Sequence, residues 1–186
     1  MGTGTVTLNG GTLRLERITT ANPLIVNGGT LFLSNGWGCN WNGPVTLNAN
    51  LTVSGDGNSG ENRFNGIVSG VGGLTFTGPA VLAPRLAVAN TYTGPTSVTA
   101  CTLKCDNKDA LGSGALSLST TGKLNLNYTG TKTVASLTLG GVAKTAAGTY
   151  GSVASGANFP SDTYFTPGST GTVRVPPPRG TVISFF

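Results

Sequence analysis

Apolar side chains in this chain recur in short alternating runs. Thr5-Val6-Thr7-Leu8, Thr12-Leu13-Arg14-Leu15, Leu24-Ile25-Val26, Thr30-Leu31-Phe32-Leu33, Val45-Thr46-Leu47 and Leu51-Thr52-Val53 open the series. Leu74-Thr75-Phe76, Ala80-Val81-Leu82, Ser97-Val98-Thr99, Ala115-Leu116-Ser117-Leu118, Lys123-Leu124-Asn125-Leu126, Ser136-Leu137-Thr138-Leu139 and Thr172-Val173-Arg174-Val175 continue it. Each run sets apolar residues on one face and Thr, Ser, Asn or a base on the other, the signature of a half-buried strand. Gly, Asn and Pro punctuate between the runs. No window carries apolar residues at i, i+3, i+4 and i+7 among good helix formers, so the pattern predicts an all-β chain.

The runs also repeat at longer range. Asn9-Gly10-Gly11-Thr12-Leu13 returns 18 residues later as Asn27-Gly28-Gly29-Thr30-Leu31, and Asn48-Ala49-Asn50-Leu51 is a third, degenerate copy. A step of about 20 residues suits one coil of a parallel β-helix, whose coils bury their inner faces only by stacking. Asn stacked at a coil corner would form an amide ladder along the axis, and the neighbouring Gly would supply positive φ. A β-sandwich also reads as many short strands with Gly-rich turns, with Asn9-Gly10 and Asn27-Gly28 as hairpin loops. Regular recurrence favours coils. The solenoid is expected over residues 1–175. Pro176-Pro177-Pro178, which cannot join a ladder, begins a Pro-rich tail over 176–186 that ends in the apolar Val182-Ile183-Ser184-Phe185-Phe186.

Composition sharpens this picture. Charged residues make up 9% of the chain, against about 25% in ordinary soluble domains, and 30 of the 186 residues are Gly. A disordered chain would combine low hydropathy with high charge, which this one does not. The surface is polar through hydroxyls and amides, as in an extracellular all-β protein. The net charge of +5 comes from few acids, 6 against 11 bases, and the bases are scattered along the sequence with no run of phosphate-binding type. Nucleic acid is therefore not expected as a partner. No apolar run approaches transmembrane length, so membrane insertion is not expected either. Met1-Gly2-Thr3-Gly4 reads as strand and turn rather than a signal peptide, so the sequence looks like a piece of a longer gene.

The three cysteines are Cys39, Cys101 and Cys105, and there is no His. Cys-x-x-Cys spacing is absent, so no metal site is signalled. Residues four apart in one strand lie about 13 Å apart, so bridging Cys101 to Cys105 would need an intervening turn. Buried thiols acting as small hydrophobes are the simpler reading.

Several segments carry a family resemblance. Asn90-Thr91-Tyr92-Thr93-Gly94-Pro95-Thr96-Ser97-Val98-Thr99-Ala100 resembles the autotransporter-associated β-strand repeat, which reads much like N-T-Y-T-G-x-T-x-V-x-A-G-T-L. Gly66-Ile67-Val68-Ser69-Gly70-Val71-Gly72-Gly73-Leu74-Thr75 and Trp41-Asn42-Gly43-Pro44-Val45-Thr46-Leu47 are similar to the segments that precede it. Ala110-Leu111-Gly112-Ser113-Gly114 and Gly148-Thr149-Tyr150-Gly151 are similar to those that follow. The resemblance covers about residues 1–175 through the order and spacing of weak motifs. It implies a right-handed parallel β-helix, a single elongated domain of the kind found in bacterial surface passengers. It brings no catalytic residues. Cys101 stands where the repeat usually has Gly, and Cys105 where it has an inward Leu, which makes Cys105 a core residue and leaves the corner at Cys101 open.

The chemistry is sparse. Without His, Ser-His-Asp and Cys-His machinery is excluded, and no nucleophile elbow, P-loop or dinucleotide fingerprint is present. A hydrolase or lyase on a β-helix would need facing carboxylates, for which Asp56, Glu61, Asp106 and Asp109 are the candidates. Asp106-Asn107-Lys108-Asp109 reads first as a turn, and Asp56 to Glu61 reads as a loop with a loose likeness to a calcium site. In Asn35-Gly36-Trp37-Gly38-Cys39-Asn40-Trp41-Asn42, the rings of Trp37 and Trp41 with the amides of Asn40 and Asn42 form a candidate sugar platform, against the simpler reading of Trp41 as core. No cofactor is expected. The expected function is a structural or adhesive module of a secreted or bacterial cell-surface protein, without intrinsic catalysis. The alternatives are a carbohydrate-binding module or a polysaccharide- or ester-cleaving enzyme. Surface polysaccharide and a second copy joined end to end are the expected partners.

Overall fold

Strands of two to five residues, each too short to stand alone, are brought together by stacking in a computed structural model that describes residues 2–34, 38–57 and 62–177. The first coil holds β1 (Val6–Leu8), β2 (Thr12–Glu16) and β3 (Thr19–Thr20). The second repeats them as β4 (Leu24–Val26), β5 (Thr30–Ser34) and β6 (Asn40–Trp41). The third has β7 (Val45–Leu47), β8 (Leu51–Gly55) and β9 (Asn62–Phe64), and the fourth β10 (Val68–Gly70), β11 (Leu74–Phe76) and β12 (Pro84–Leu86). Later coils keep two of the three sides, as β13 (Thr96–Val98) with β14 (Thr102–Cys105), then β15 (Leu116–Leu118) with β16 (Lys123–Leu126). After β17 (Thr131–Thr133) and β18 (Leu137–Leu139) the coiling ends. Corresponding strands pair in parallel into three sheets, β1-β4-β7-β10, β2-β5-β8-β11-β13-β15-β18 and β3-β6-β9-β12-β14-β16. The chain is thus an all-β parallel solenoid and not a sandwich.

Register is continuous along the stack. In the second sheet Leu31, Val53, Phe76, Val98, Leu118 and Leu139 follow one another as an inward column, all buried. Between the inward positions, Thr12, Thr30, Thr52, Thr75, Ser97, Ser117 and Thr138 form an outward row of hydroxyls. The expected corner ladder is present. Asn27 Nδ2 donates to Asn9 Oδ1 at 2.7 Å, and Asn48 Nδ2 to Asn27 Oδ1 at 2.9 Å. Beside it Gly10 and Gly28 take φ of 122° and 130°, a region L residues avoid.

The segment similar to the β-strand repeat has a specific structural task. In the fifth coil no strand forms on the first side, yet Thr91 N–H still bonds Val68 O and Thr93 N–H bonds Gly70 O, both at 2.9 Å, and buried side chains add to these links. Asn90 Oδ1 accepts from Val68 N–H at 2.7 Å while its Nδ2 donates to Ala110 O at 2.7 Å, so one amide joins three coils. Tyr92 is fully buried, shares a 2.7 Å hydrogen bond with Thr96 Oγ1, and has its hydroxyl pKa pushed up to about 12 by burial. Gly94 leaves room for the coil before it. A Cβ there would stand 2.3 Å from the Gly72 carbonyl carbon.

Two local expectations are settled by the same packing. Ala80-Val81-Leu82 is a turn and not a strand: Leu82 N–H bonds back to Pro79 O, Val81 points to solvent and Leu82 fills the core. The strand of that coil is Pro84–Leu86. All three cysteines are free and buried. The corner at Cys101 keeps the ordinary ladder, since its carbonyl accepts Lys123 N–H at 2.9 Å, with the side chain turned inward. Burial pushes the Cys101 thiol up to about 12, and pushes Cys105 up as well with the nearby Asp106 charge adding to it.

The end of the stack is covered. β19 (Val142–Lys144) turns back through Gly140 and Gly141 to pair antiparallel with β18. Leu124 N–H bonds Tyr164 O and Thr166 N–H bonds Leu124 O, which covers the free side of β16. β20 (Gly148–Gly151), β21 (Phe159–Pro160) and β22 (Thr172–Val175) form a fourth sheet with β17. These contacts satisfy edges that would otherwise accept a foreign strand.

Asn90→Ala is expected to lower stability by about 2–6 kcal/mol, because two buried backbone groups lose their partners at ~1–3 kcal/mol each. The midpoint of chemical unfolding, compared with that of Thr91→Ala, measures it. The thiolate is the reactive form of cysteine. Native chain at neutral pH is therefore expected to give almost no reaction with a thiol reagent, and denatured chain to titrate all three cysteines.

Candidate functional site

The outer face of the third sheet gathers the charged and amide side chains that the sequence spreads apart. Along its strands, Phe64, Leu86, Cys105 and Leu126 point inward and are buried. The residue before each of them therefore points outward. Register places Asn40 beside Arg63, Arg63 beside Arg85, Arg85 beside Lys104 and Lys104 beside Asn125. Bases that are scattered in sequence thus form a ladder of three cations on successive coils, with an amide at each end. Adjacent rungs of a parallel sheet are about 4.8 Å apart.

Like charges directly opposite one another on neighbouring strands are destabilising. Asp106 relieves part of this repulsion. Asp106 Oδ2 accepts from Arg85 Nε, and Asp106 Oδ1 accepts from Asn127 Nδ2 at 2.9 Å. Partial burial works to raise the Asp106 carboxyl, but the Arg85 and Asn127 hydrogen bonds and the charges of Arg85 and Arg63 outweigh it and hold the group below the usual carboxylate range. Lys104 makes no hydrogen bond or ion pair among the described residues. On the same sheet Lys123, in register with Thr102, donates to Asp162 O at 3.1 Å.

The candidate sugar platform is divided. Asn40 and Asn42 stand on this outer side. Asn40 Nδ2 donates to Thr19 Oγ1 at 3.3 Å, and Asn42 Oδ1 accepts from Asn65 Nδ2 at 2.7 Å in a second amide ladder. Trp41 alternates inward between them and is 1% exposed, so its ring packs in the core and offers no face to a sugar. This corrects its place in the platform. Trp37 lies outside the described residues.

Each candidate carboxylate among the described residues has partners of its own. Asp56 is exposed and accepts from Ser34 Oγ at 3.2 Å, and Glu61, with the rest of the loop likened to a calcium site, lies outside the described residues. Asp109 belongs to the expected turn, in which Asp109 N–H bonds Asn107 Oδ1 at 2.8 Å. Its carboxylate is met by Lys108 Nζ at 2.9 Å and Lys132 Nζ at 3.5 Å, and the Lys108 hydrogen bond chiefly holds its pKa down. Asp106 and Asp109 therefore sit in separate ion-pair sets, each favouring the ionised form. A general acid needs the opposite environment.

A second concavity lies at the covered end of the stack. A cavity of about 380 Å³ is lined by Lys144, Tyr150, Phe159, Pro160 and Tyr164 among others, with the Tyr150 and Phe159 rings stacked at 4.7 Å. Neither this cavity nor the cation ladder is visible as a run in the sequence. The links from second to third sheet run from Gly55 to Asn62, from Phe76 to Pro84 and from Val98 to Thr102, so their lengths differ and the outward cations fall at unequal intervals. The signal that finds them is the buried apolar residue following each, once coils are aligned on the second sheet.

Asp106→Asn is expected to cost up to ~1 kcal/mol at neutral pH, the scale of a partly exposed ion pair. Because the folded carboxyl titrates below its unfolded value, the stabilisation is complete above the ordinary aspartate range and fades as pH falls through the depressed folded pKa. Unfolding midpoints of wild type and variant should differ at pH 7 and begin to converge only as the pH falls below about 4 toward the depressed folded value.

No family model and no solved structure matches the chain. No helix among the described residues is long and apolar enough to cross a membrane. Over 124 residues the chain is 32% identical to the adhesin BmaC autotransporter of Brucella suis biovar 1 (strain 1330), a stretch that makes up 67% of this chain and 4% of that protein. The chain spans only a small part of that relative's length.

Proposed function

We propose that this chain is a structural and adhesive segment of a bacterial surface or secreted passenger, built from repeats of the autotransporter-associated β-strand type. The observation that carries the reading is the uninterrupted register of parallel coils, which makes a rod whose faces repeat from coil to coil. Similarity to a stretch of an autotransporter adhesin supports the same reading. The repeat assignment is supported by the roles of Asn90, Tyr92 and Gly94, since each motif residue meets a demand of coil stacking.

A rod of this kind works by spanning distance and presenting surface. Its outward rows of hydroxyls, amides and bases are held on rigid strands, so a ligand meets an ordered array at little entropic cost.

Fused to a surface anchor, the chain is expected to reach the cell exterior folded and to raise attachment to polysaccharide-coated wells several-fold over the anchor alone. Attachment equal to that of the bare anchor would remove the adhesive part of the reading. Sugar released from the wells by purified chain, and abolished in Asp106→Asn, would replace it with a polysaccharide-cleaving enzyme.

A further inference from the structure

We infer that the ladder of Arg63, Arg85 and Lys104 on the outer face of the third sheet binds an extended acidic polysaccharide, one carrying carboxylates at regular intervals along its chain. The inference deepens the adhesive reading and rests on it for its setting.

Three observations point the same way. First, the cations are in register on successive coils, so they lie in a line along the stack at about 4.8 Å per rung. A linear polymer with regularly spaced anions can follow such a line without bending. Guanidinium groups take carboxylates in two parallel hydrogen bonds, and lysine adds a point charge. Second, the ladder sets three like charges side by side, with the Asp106 carboxylate beside them on Arg85. A bound polyanion is favoured by the focused field of the row. Third, the neighbours are amides. Asn40 and Asn125 end the row, and Asn65 and Asn127 follow Arg63 and Asn125 by two positions on the same side. Amides donate and accept, which suits sugar hydroxyls between the charged groups.

The same face argues against other polyanions. Single-stranded nucleic acid is held largely by bases stacking on aromatic rings. The aromatic residues of this sheet, Trp41 and Phe64, point into the core and are buried. An anionic membrane surface calls for apolar side chains to insert beside the bases. The row offers Asn, Arg and Lys instead.

The test uses the full chain and polygalacturonate, with neutral dextran as the uncharged control, in titrations over a salt series. The expected result is binding to polygalacturonate and none to dextran, weakening as salt rises. Lys104→Gln is the primary variant, since that side chain makes no hydrogen bond or ion pair among the described residues. It is expected to weaken binding about threefold to tenfold with thermal unfolding unchanged, and to lower the salt dependence by about one counterion. Arg63→Gln should act in the same direction. Arg174→Gln removes the same charge from an exposed position on β22, off the ladder, and should leave affinity unchanged. Equal weakening by Arg174→Gln would overturn the site in favour of diffuse net charge. Single-stranded DNA competing as well as polygalacturonate would overturn the ligand class. Absence of binding to polygalacturonate would overturn the ladder as a site while leaving the adhesive reading to the attachment assay.

Discussion

No coil of this chain can bury its own inner face. Each contributes one or two apolar side chains per strand to the interior, and only the coil before and the coil after complete the enclosure. The column of Leu31, Val53, Phe76, Val98, Leu118 and Leu139 is therefore one continuous object assembled from residues that are remote in sequence. A slip of one residue in any coil would turn its inward set out to water and its outward set into the core, so register is enforced at every step. The corner amide ladder, the hydroxyl row and the cation row all follow from that enforcement, because a fixed inner register also fixes the outer one.

Where the sequence could be read, it was because alternation ran long enough to show. The first and second sheets announce themselves through runs such as Leu24-Ile25-Val26 and Leu74-Thr75-Phe76, which coincide with strands β4 and β11. The repeated Asn-Gly-Gly corner announces the coil, and its amide ladder forms as the pattern implies. The third sheet stays hidden. Its strands β3, β6, β9 and β12 read Thr-Thr, Asn-Trp, Asn-Arg-Phe and Pro-Arg-Leu, too short and too polar to alternate visibly. Pro84 in β12 argues against a strand when seen alone, whereas Val81 and Leu82 argue for one that does not form. The cation ladder lies on that hidden sheet, and links of unequal length obscure its spacing. Trp41 shows the same limit from the other side. Its composition suggested a platform, and its position in the alternation sends it inward.

The fifth coil shows how a solenoid tolerates a missing strand. The backbone still bonds across at Thr91 and Thr93, but the Val68 N–H and Ala110 C=O also need partners in a dry environment. Asn90 supplies both from a single amide, and Tyr92 fills the space with a ring whose hydroxyl is satisfied by Thr96. These positions read as a motif because the substitution is demanding: few side chains carry donor and acceptor on so short a stem. Gly94 and Gly114 meet a separate demand, close approach between coils, where a Cβ would strike the backbone of the preceding one.

The parallel stack also has a mechanical character. Hydrogen bonds between coils run along the axis, so tension applied along it loads one interface at a time. Detaching one coil of about 20 residues would release roughly 70 Å of chain at ~3.3–3.6 Å per residue. The antiparallel pairing of β20 with β22, tied to the last coil by Tyr128 Oη donating to Thr172 O at 3.3 Å, gives one end a fastening of different geometry. A tether made this way yields in increments of contour length, dissipating force coil by coil before the anchored end is drawn upon.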